Sequence, residues 1–273
     1  LIGIANIMSR LAQRFAQLKA ENRKALVTYV MAGDPQPSVT VPLIHEMVAA
    51  GVDILEVGLP FSDPMADGPV IALAAERALA GGTNTLDAIA MVKEFRQKDQ
   101  DTPVVLMGYL NPAEVIGYET FIQTAADAGV DGMILVDLPP EEAEKFDVIL
   151  DQYGLDQVFL LAPTSTDERI THVIKQARGF IYYVSLKGVT GAATLDIQSA
   201  ADRIAKIKQQ TDLPVGVGFG ISDAASAKAM GAVADAVIVG SAFVKPFATL
   251  SVEDATAAAI AKVKELRAAL DEL

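Results

Sequence analysis

Ala50-Gly-Val-Asp-Ile-Leu-Glu-Val57 decides the fold, because its pattern returns along the chain. Ala128-Gly-Val-Asp131 leads into an apolar run at 133–136, Gly231 to Asp235 leads into 236–239, and Tyr153-Gly-Leu155 precedes 158–161. Each time a one-sided helical segment reaches glycine and a short apolar run follows, which is the mark of a weak internal repeat. Glycine suits the left-handed residue that closes a helix. Unbroken apolar runs of this length suit strands buried on both faces of a parallel sheet. Two more runs, 104–107 and 215–217, enter through Pro103 and Pro214, and proline is tolerated at the first residue of a strand. Runs at 26–30 and 180–185 bring the strands to eight.

Helical spacing fills the gaps. Val39, Leu43, Met47 and Val48 share a face, as do Ala88, Met91, Val92 and Phe95, and later Ala259, Val263, Leu266 and Leu270. Apolar residues three and four apart mark helices that bury one side. Strand and helix alternate eight times without a low-complexity linker. The pattern predicts an α/β fold, one (β/α)8 TIM barrel over residues 8–273 with an extra N-terminal helix over 10–19. A doubly wound open sheet is the structural alternative. The chain begins with leucine, so Met8 is read as the natural start and residues 1–7 as a non-native or disordered extension.

Composition narrows the function. The 273 residues carry 22 Lys+Arg and 35 Asp+Glu, a net charge of −13, with 51% hydrophobic residues. That is a globular composition and a poor one for binding phosphate backbones or anionic membranes. There is no cysteine, so thiolate catalysis, disulfides and cysteine metal sites are excluded, and a reducing, cytoplasmic location is expected. No apolar run approaches the ~20 residues of a membrane span.

In a barrel, chemistry gathers on the loops at the C-terminal ends of the strands. The seventh predicted strand ends in Gly218-Phe-Gly220-Ile-Ser222 and the eighth in Gly240-Ser241, each just before a helical stretch. Glycine lets backbone N–H groups approach an anion, and helix starts favour negative charge. Side by side, the two ends predict a phosphate cup; either motif alone reads equally well as a tight turn. The second strand carries Glu56 inside an apolar run, and the loop after it adds Asp63 and Asp67. An unpaired carboxylate there is costly; paired acids near an apolar pocket can divide acid and base roles. Asp63 before Pro64 and Asp67 before Gly68 also read as turn residues. Metal is disfavoured, since the only histidines, His45 and His172, fall inside helical patterns. Lys187 and Lys245 are remote candidates for a Schiff base.

Residues 56–69, E-V-G-L-P-F-S-D-P-M-A-D-G-P, closely resemble the strand-two signature of the tryptophan synthase α subunit family. So do A-G-D-P at 32–35, S-L-K-G-V-T-G at 185–191, G-F-G-I-S at 218–222 and G-S-A at 240–242. The resemblance implies retro-aldol cleavage of indole-3-glycerol phosphate to indole and glyceraldehyde 3-phosphate. It makes Glu56 the acid/base carboxylate and Asp67 the acid that holds the indole N–H. Tyr182 matches an active-site tyrosine. Thr190 matches the threonine of a loop expected to close over the substrate and orient Asp67. Gly191, Gly220, Gly240 and Ser241 match phosphate contacts. Tyr29 and Phe219 match aromatic positions at the indole end, and Met107 and Tyr109 are expected to line the same pocket. The resemblance also implies a pyridoxal-phosphate β subunit as partner in an α2β2 assembly, met through Pro60, Asp63 and Asn111. This chain is then expected to carry no cofactor and no metal. Another sugar-phosphate barrel, such as an isomerase or indole-glycerol-phosphate synthase, is the competing enzyme, and a non-catalytic subunit that senses a phosphorylated indole is the competing class.

Overall fold

The computed structural model describes residues 8–184, 197–218 and 220–273. Residues 1–7, set aside above, lie outside them. Elements follow in the order α1 (Arg10–Ala20), β1 (Ala25–Met31), α2 (Pro37–Ala49), β2 (Ile54–Gly58), α3 (Pro69–Ala80), α4 (Thr85–Phe95), β3 (Val104–Gly108), α5 (Leu110–Ile116) and α6 (Tyr118–Asp127). Then come β4 (Gly132–Leu135), α7 (Glu144–Tyr153), β5 (Asp156–Gln157), β6 (Phe159–Leu161), α8 (Asp167–Gln176), β7 (Ile181–Val184) and α9 (Ile197–Lys208). The chain ends with β8 (Val215–Gly218), α10 (Ala224–Gly231), β9 (Ala236–Val239), α11 (Ser241–Val244) and α12 (Val252–Asp271).

Neighbouring strands pair in parallel, in the order β5-β4-β3-β2-β1-β9-β8-β7-β6. The two outermost strands are consecutive in sequence, separated only by Val158, whose N–H donates to Met133 O at 3.0 Å. One stave therefore pairs with β4 through its first half and with β7 through its second, and the sheet closes on itself. The expected eight staves are present; the fifth is split into two short strands. The predicted helical stripes of α4 and α12 are buried as expected.

Alternation sorts the strand residues. Leu55 and Val57 of β2 pack outward with the helices. Val27, Ile54, Val105, Ile134, Val158, Phe180, Ala236 and Ile238 fill the barrel interior. Leu11, Phe15 and Leu18 of α1 plug the N-terminal end of that interior, with Phe15 and Phe180 ring centroids 5.7 Å apart. Burying each such side chain contributes about 1.5–3 kcal/mol. Ser9 caps α1, accepting from Ala12 N, and its hydroxyl donates to Asp156 at 2.5 Å.

The aspartate of the repeated motif has a single structural job. Asp53 accepts from Leu26 N, Asp131 from Val104 N and Asp235 from Val215 N, each at 2.8–2.9 Å. Each carboxylate ties the start of its own strand to the start of a neighbour. Arg267 completes Asp53 at 2.8 Å, Arg96 completes Asp131 at 2.8 Å and Lys208 completes Asp235 at 2.7 Å. The repeat's glycines divide in two. Gly51, Gly129 and Gly154 adopt positive φ, as expected for helix closure. Gly231 does not. It stays within α10, where a Cβ would stand 2.6 Å from Leu270 Cδ2, so it serves close helix packing on α12.

Candidate active site

Glu56 points into the barrel. It pairs in register with Tyr29 on β1 and Val105 on β3, both inward-facing residues, while its outward neighbours join the helix-side core. Its side chain is 1% exposed, and its Oε2 has no hydrogen-bond partner. Burial, reinforced by the nearby charge of Asp67, pushes its carboxyl up to about 8. A buried acid without a partner, at the mouth of a closed barrel, is poised to exchange a proton with whatever enters.

Asp67 sits on the loop between β2 and α3, two residues before the helix opens at Pro69. Its N–H donates to Pro64 O at 3.0 Å. Burial raises its carboxyl to about 6, and the Tyr109 hydroxyl beside it pulls the other way. Tyr109 was expected to line the substrate pocket. It lies beneath the loop, 3% exposed, its ring 5.5 Å from Phe61 and its hydroxyl accepting from Ala66 N at 3.0 Å. It fastens the segment that carries Asp67.

Two tyrosines frame Glu56, and two glycines make room for them. A Cβ on Gly58 would stand 2.0 Å from the Tyr29 hydroxyl, and one on Gly218 would stand 2.4 Å from that of Tyr182. Both phenols are held well above their ordinary pKa. Burial is the main cause, joined by Asp67 and then Glu56 at Tyr29, and by Glu56 at Tyr182. The Tyr29 hydroxyl donates to Met31 Sδ at 3.9 Å. Met107, Val136, Leu160 and Tyr182 lie half-buried on top of the interior cluster and form an apolar floor for the mouth. Val136 and Leu160 escaped the sequence reading, although both follow from the inward parity of their staves.

The glycine cup is adjacent to this site. A Cβ on Gly240 would lie 3.4 Å from Tyr29 Cβ, so the glycine-rich end of β9 and the acid Glu56 flank one tyrosine. Gly240 precedes Ser241, the first residue of α11. Gly220 adopts positive φ. The start of α10 contributes less than expected. Asp223 caps it through Ser226 N at 2.8 Å, so its own carboxylate occupies the place an anion would take. Thr190, Gly191, Phe219 and Lys187 lie outside the described residues.

On the rim, Asp63 and Asn111 are exposed, as are Met65 and Val115 at 81% and 80%. Pro60, expected on the same surface, is buried beneath the loop. Asp137 accepts from Leu110 N at 2.7 Å and so holds the start of α5. His45 stacks on Phe95, and His172 bonds Gln176, in keeping with packing and surface roles; Lys245 is exposed. Among the described residues, no group of three or more His, Asp or Glu side chains is arranged to hold a metal ion. Two crevices of about 630 and 860 Å³ flank α1 at the opposite end of the barrel. Sequence reasoning missed one further feature, the ion pair between Asp34 and Arg77. Its signal was a single cation, beside Glu76, in an otherwise apolar, alanine-rich helix.

The chain is similar to known proteins in sequence and in fold. The profile of the family described as "Tryptophan synthase alpha chain" matches residues 15–272. A tryptophan synthase alpha chain from Acinetobacter baylyi is 77% identical over 266 residues, covering 97% of this chain and all of the relative. One from Nitrosococcus oceani is 62% identical over 238 residues, covering 87% and 88%. The crystal structure of tryptophan synthase subunit alpha from Legionella pneumophila superposes with a TM-score of 0.89 at 41% identity, covering 97% of this chain and 100% of that one. An aminoacrylate-bound tryptophan synthase from M. tuberculosis gives 0.86 at 36%, covering 96% and 100%. With nearly its whole length matched in sequence and in fold, this chain belongs to the tryptophan synthase alpha chain family.

Proposed function

We propose that Glu56 shuttles the protons of the family's reaction and that Asp67 supplies the fixed negative charge. The reaction follows from membership: the chain is a carbon–carbon lyase of tryptophan biosynthesis that cleaves indole-3-glycerol phosphate to indole and glyceraldehyde 3-phosphate. It carries no cofactor. Pyridoxal phosphate belongs to the β subunit, with which it forms the α2β2 assembly.

The single observation that carries the assignment is geometric: Glu56 faces the barrel mouth, 1% exposed and with Oε2 unpartnered, and this burial pushes it up to about 8 against about 6 for Asp67. Near neutral pH this leaves Glu56 protonated and Asp67 ionised. A protonated Glu56 can donate to indole C3, converting the ring to an indolenine whose N–H carries positive charge. Ionised Asp67 stabilises that charge, as oriented charges do in a water-poor site. The Glu56 carboxylate left behind accepts the proton of the adjacent glycerol hydroxyl. The carbon–carbon bond then breaks, its electrons returning to the ring. Neutral Tyr29 and Tyr182 flank the acid, and Met107, Val136 and Leu160 offer the indole an apolar floor. Gly220, Gly240 and Ser241 receive the phosphate on backbone N–H groups, and Gly191 and Phe219 are assigned to the same pocket by the family motif, as is Thr190 to its closing loop. Asp63 and Asn111, with Met65 and Val115, form the face toward the β subunit, while buried Pro60 shapes that loop from beneath. A cytoplasmic location completes the reading: the chain has no cysteine, and among the described residues no helix is long and apolar enough to cross a membrane.

The decisive experiment is indole release by wild type, Glu56→Gln and Asp67→Asn. Both variants are expected to bind substrate and to lose about 10²–10⁴-fold in kcat. Turnover retained by Glu56→Gln overturns the assignment.

A further inference from the structure

We propose that the Asp34–Arg77 ion pair is a latch that sets the position of Asp67, making both members positioning residues for the reaction. The inference rests on the role given above to Asp67.

α3 lies against the barrel mouth on its smallest side chains. Ala74, Ala75 and Ala78 pack on Tyr29, Met31 and Val244 in a cluster separate from the two larger cores, with Val70, Ile71 and Met107 at its margin. Alanines allow close approach but offer no interlocking shape, so this contact does little to stop the helix sliding or tilting. The restraint comes from charge. Arg77 Nε donates to Asp34 Oδ1 at 2.7 Å and its NH2 group to Oδ2 at 2.9 Å, a two-pronged pair that fixes orientation as well as distance. Asp34 is 5% exposed, on the turn that follows β1. Burial raises its carboxyl and Arg77 draws it back down.

Asp67 is rigidly coupled to this point. The N–H groups of Ile71 and Ala72 donate to Gly68 O at 3.0 Å, so the residue next to Asp67 belongs to the first turn of α3. From Pro69 to Arg77 the helix spans about 12 Å at roughly 1.5 Å per residue. A tilt of about 5° pivoting at Arg77 therefore shifts the Asp67 end by about 1 Å, a displacement that can cost about 10²-fold in rate. On the other side, Tyr109 holds the loop through Ala66 N. The loop is thus clamped from β3 at one end and from the β1 turn at the other.

The test is a double-mutant cycle on the chain assembled with its β subunit, reading kcat and KM for indole release alongside thermal unfolding. Arg77→Gln is combined with Asp67→Glu, which keeps a carboxylate on a longer arm and so keeps turnover measurable. Arg77→Gln alone is expected to lower kcat by about 10- to 100-fold with KM changed less than about 3-fold. In the Asp67→Glu background the same change is expected to cost less than about 2-fold, because the position it protects is already lost. An equal factor in both backgrounds overturns the latch and leaves a purely structural ion pair. Arg77→Lys, which keeps the charge but not the fork, serves the same cycle if Arg77→Gln does not fold. A wild-type rate retained by Asp67→Asn contradicts the role of Asp67 itself, and one retained by Asp67→Glu overturns the latch, since the position of the carboxylate then does not matter.

Discussion

Asp53 and Glu56 stand three residues apart, one just before the short strand β2 and the other at its middle, and their surroundings differ in kind. Burial raises both carboxyls. At Asp53 the Leu26 N–H, Arg267 and Arg23 pull the other way, whereas at Glu56 the nearest charge is Asp67, which pushes further in the same direction. The same contrast separates the two ends of the barrel. At the N-terminal end Asp53, Asp131 and Asp235 each accept from a strand N–H and face a cation. At the C-terminal end Asp34 pairs with Arg77, and among the described residues no cation faces the two acids of the site. One end spends its acids on closing the barrel and plugging it with α1; the other keeps its acids poorly solvated and reactive.

That contrast can be broken from either end. Asp53→Ala leaves Arg267, 6% exposed, without its buried carboxylate and with only the exposed Asp271 at 2.9 Å. It is expected to cost about 3–5 kcal/mol in chemical denaturation while activity per folded molecule is kept. A loss below about 1 kcal/mol would show that the N-terminal carboxylates are not structural ties. Glu56→Gln is expected to act in the opposite direction on stability. Glu56 is an acid whose folded pKa, about 8, lies above its unfolded value near 4.5. Its ionisation therefore erodes stability as pH rises from the lower value to the higher, and the loss is complete above about 8. Replacing it by Gln is expected to gain a few kcal/mol, on the order of 3, at pH 7 and nothing at pH 4. Denaturation curves at the two pH values would show it, and equal stability at pH 7 would contradict a buried, unpaired acid.

Activity sharpens the comparison further. kcat/KM is expected to follow a bell, falling below about pH 6 as Asp67 gains a proton and above about pH 8 as Glu56 loses one. Each limb should approach about tenfold per pH unit. A profile flat from pH 5 to 9 would remove both acids from the mechanism. The smallest effect belongs to Tyr109→Phe, which deletes only the hydroxyl that fastens Ala66 and touches Asp67. A hydrogen bond of about 1 kcal/mol translates to a several-fold fall in kcat, with little change in unfolding temperature; an unchanged kcat would separate Tyr109 from the site.

What the chain alone determined is what repeats locally. Side-chain burial has a period of two in strands and 3.6 in helices, so the eight staves, the stripes of α4 and α12 and the single-barrel architecture could be read from spacing. Glu56 was visible because a charge inside an apolar run is costly wherever it ends up, and the long motif from Glu56 to Pro69 named its family. What tertiary structure decided depends on residues distant in sequence. Whether Glu56 faced the mouth or the helices followed from the pairing of Tyr29, Glu56 and Val105 on three separate strands. The placing of Tyr109 beneath a loop some 40 residues earlier, the glycines that admit two tyrosines, the capped start of α10 and the Asp34–Arg77 pair were also settled by closure. A local pattern records how much of a residue is buried but not what it is buried against, and chemistry depends on the second.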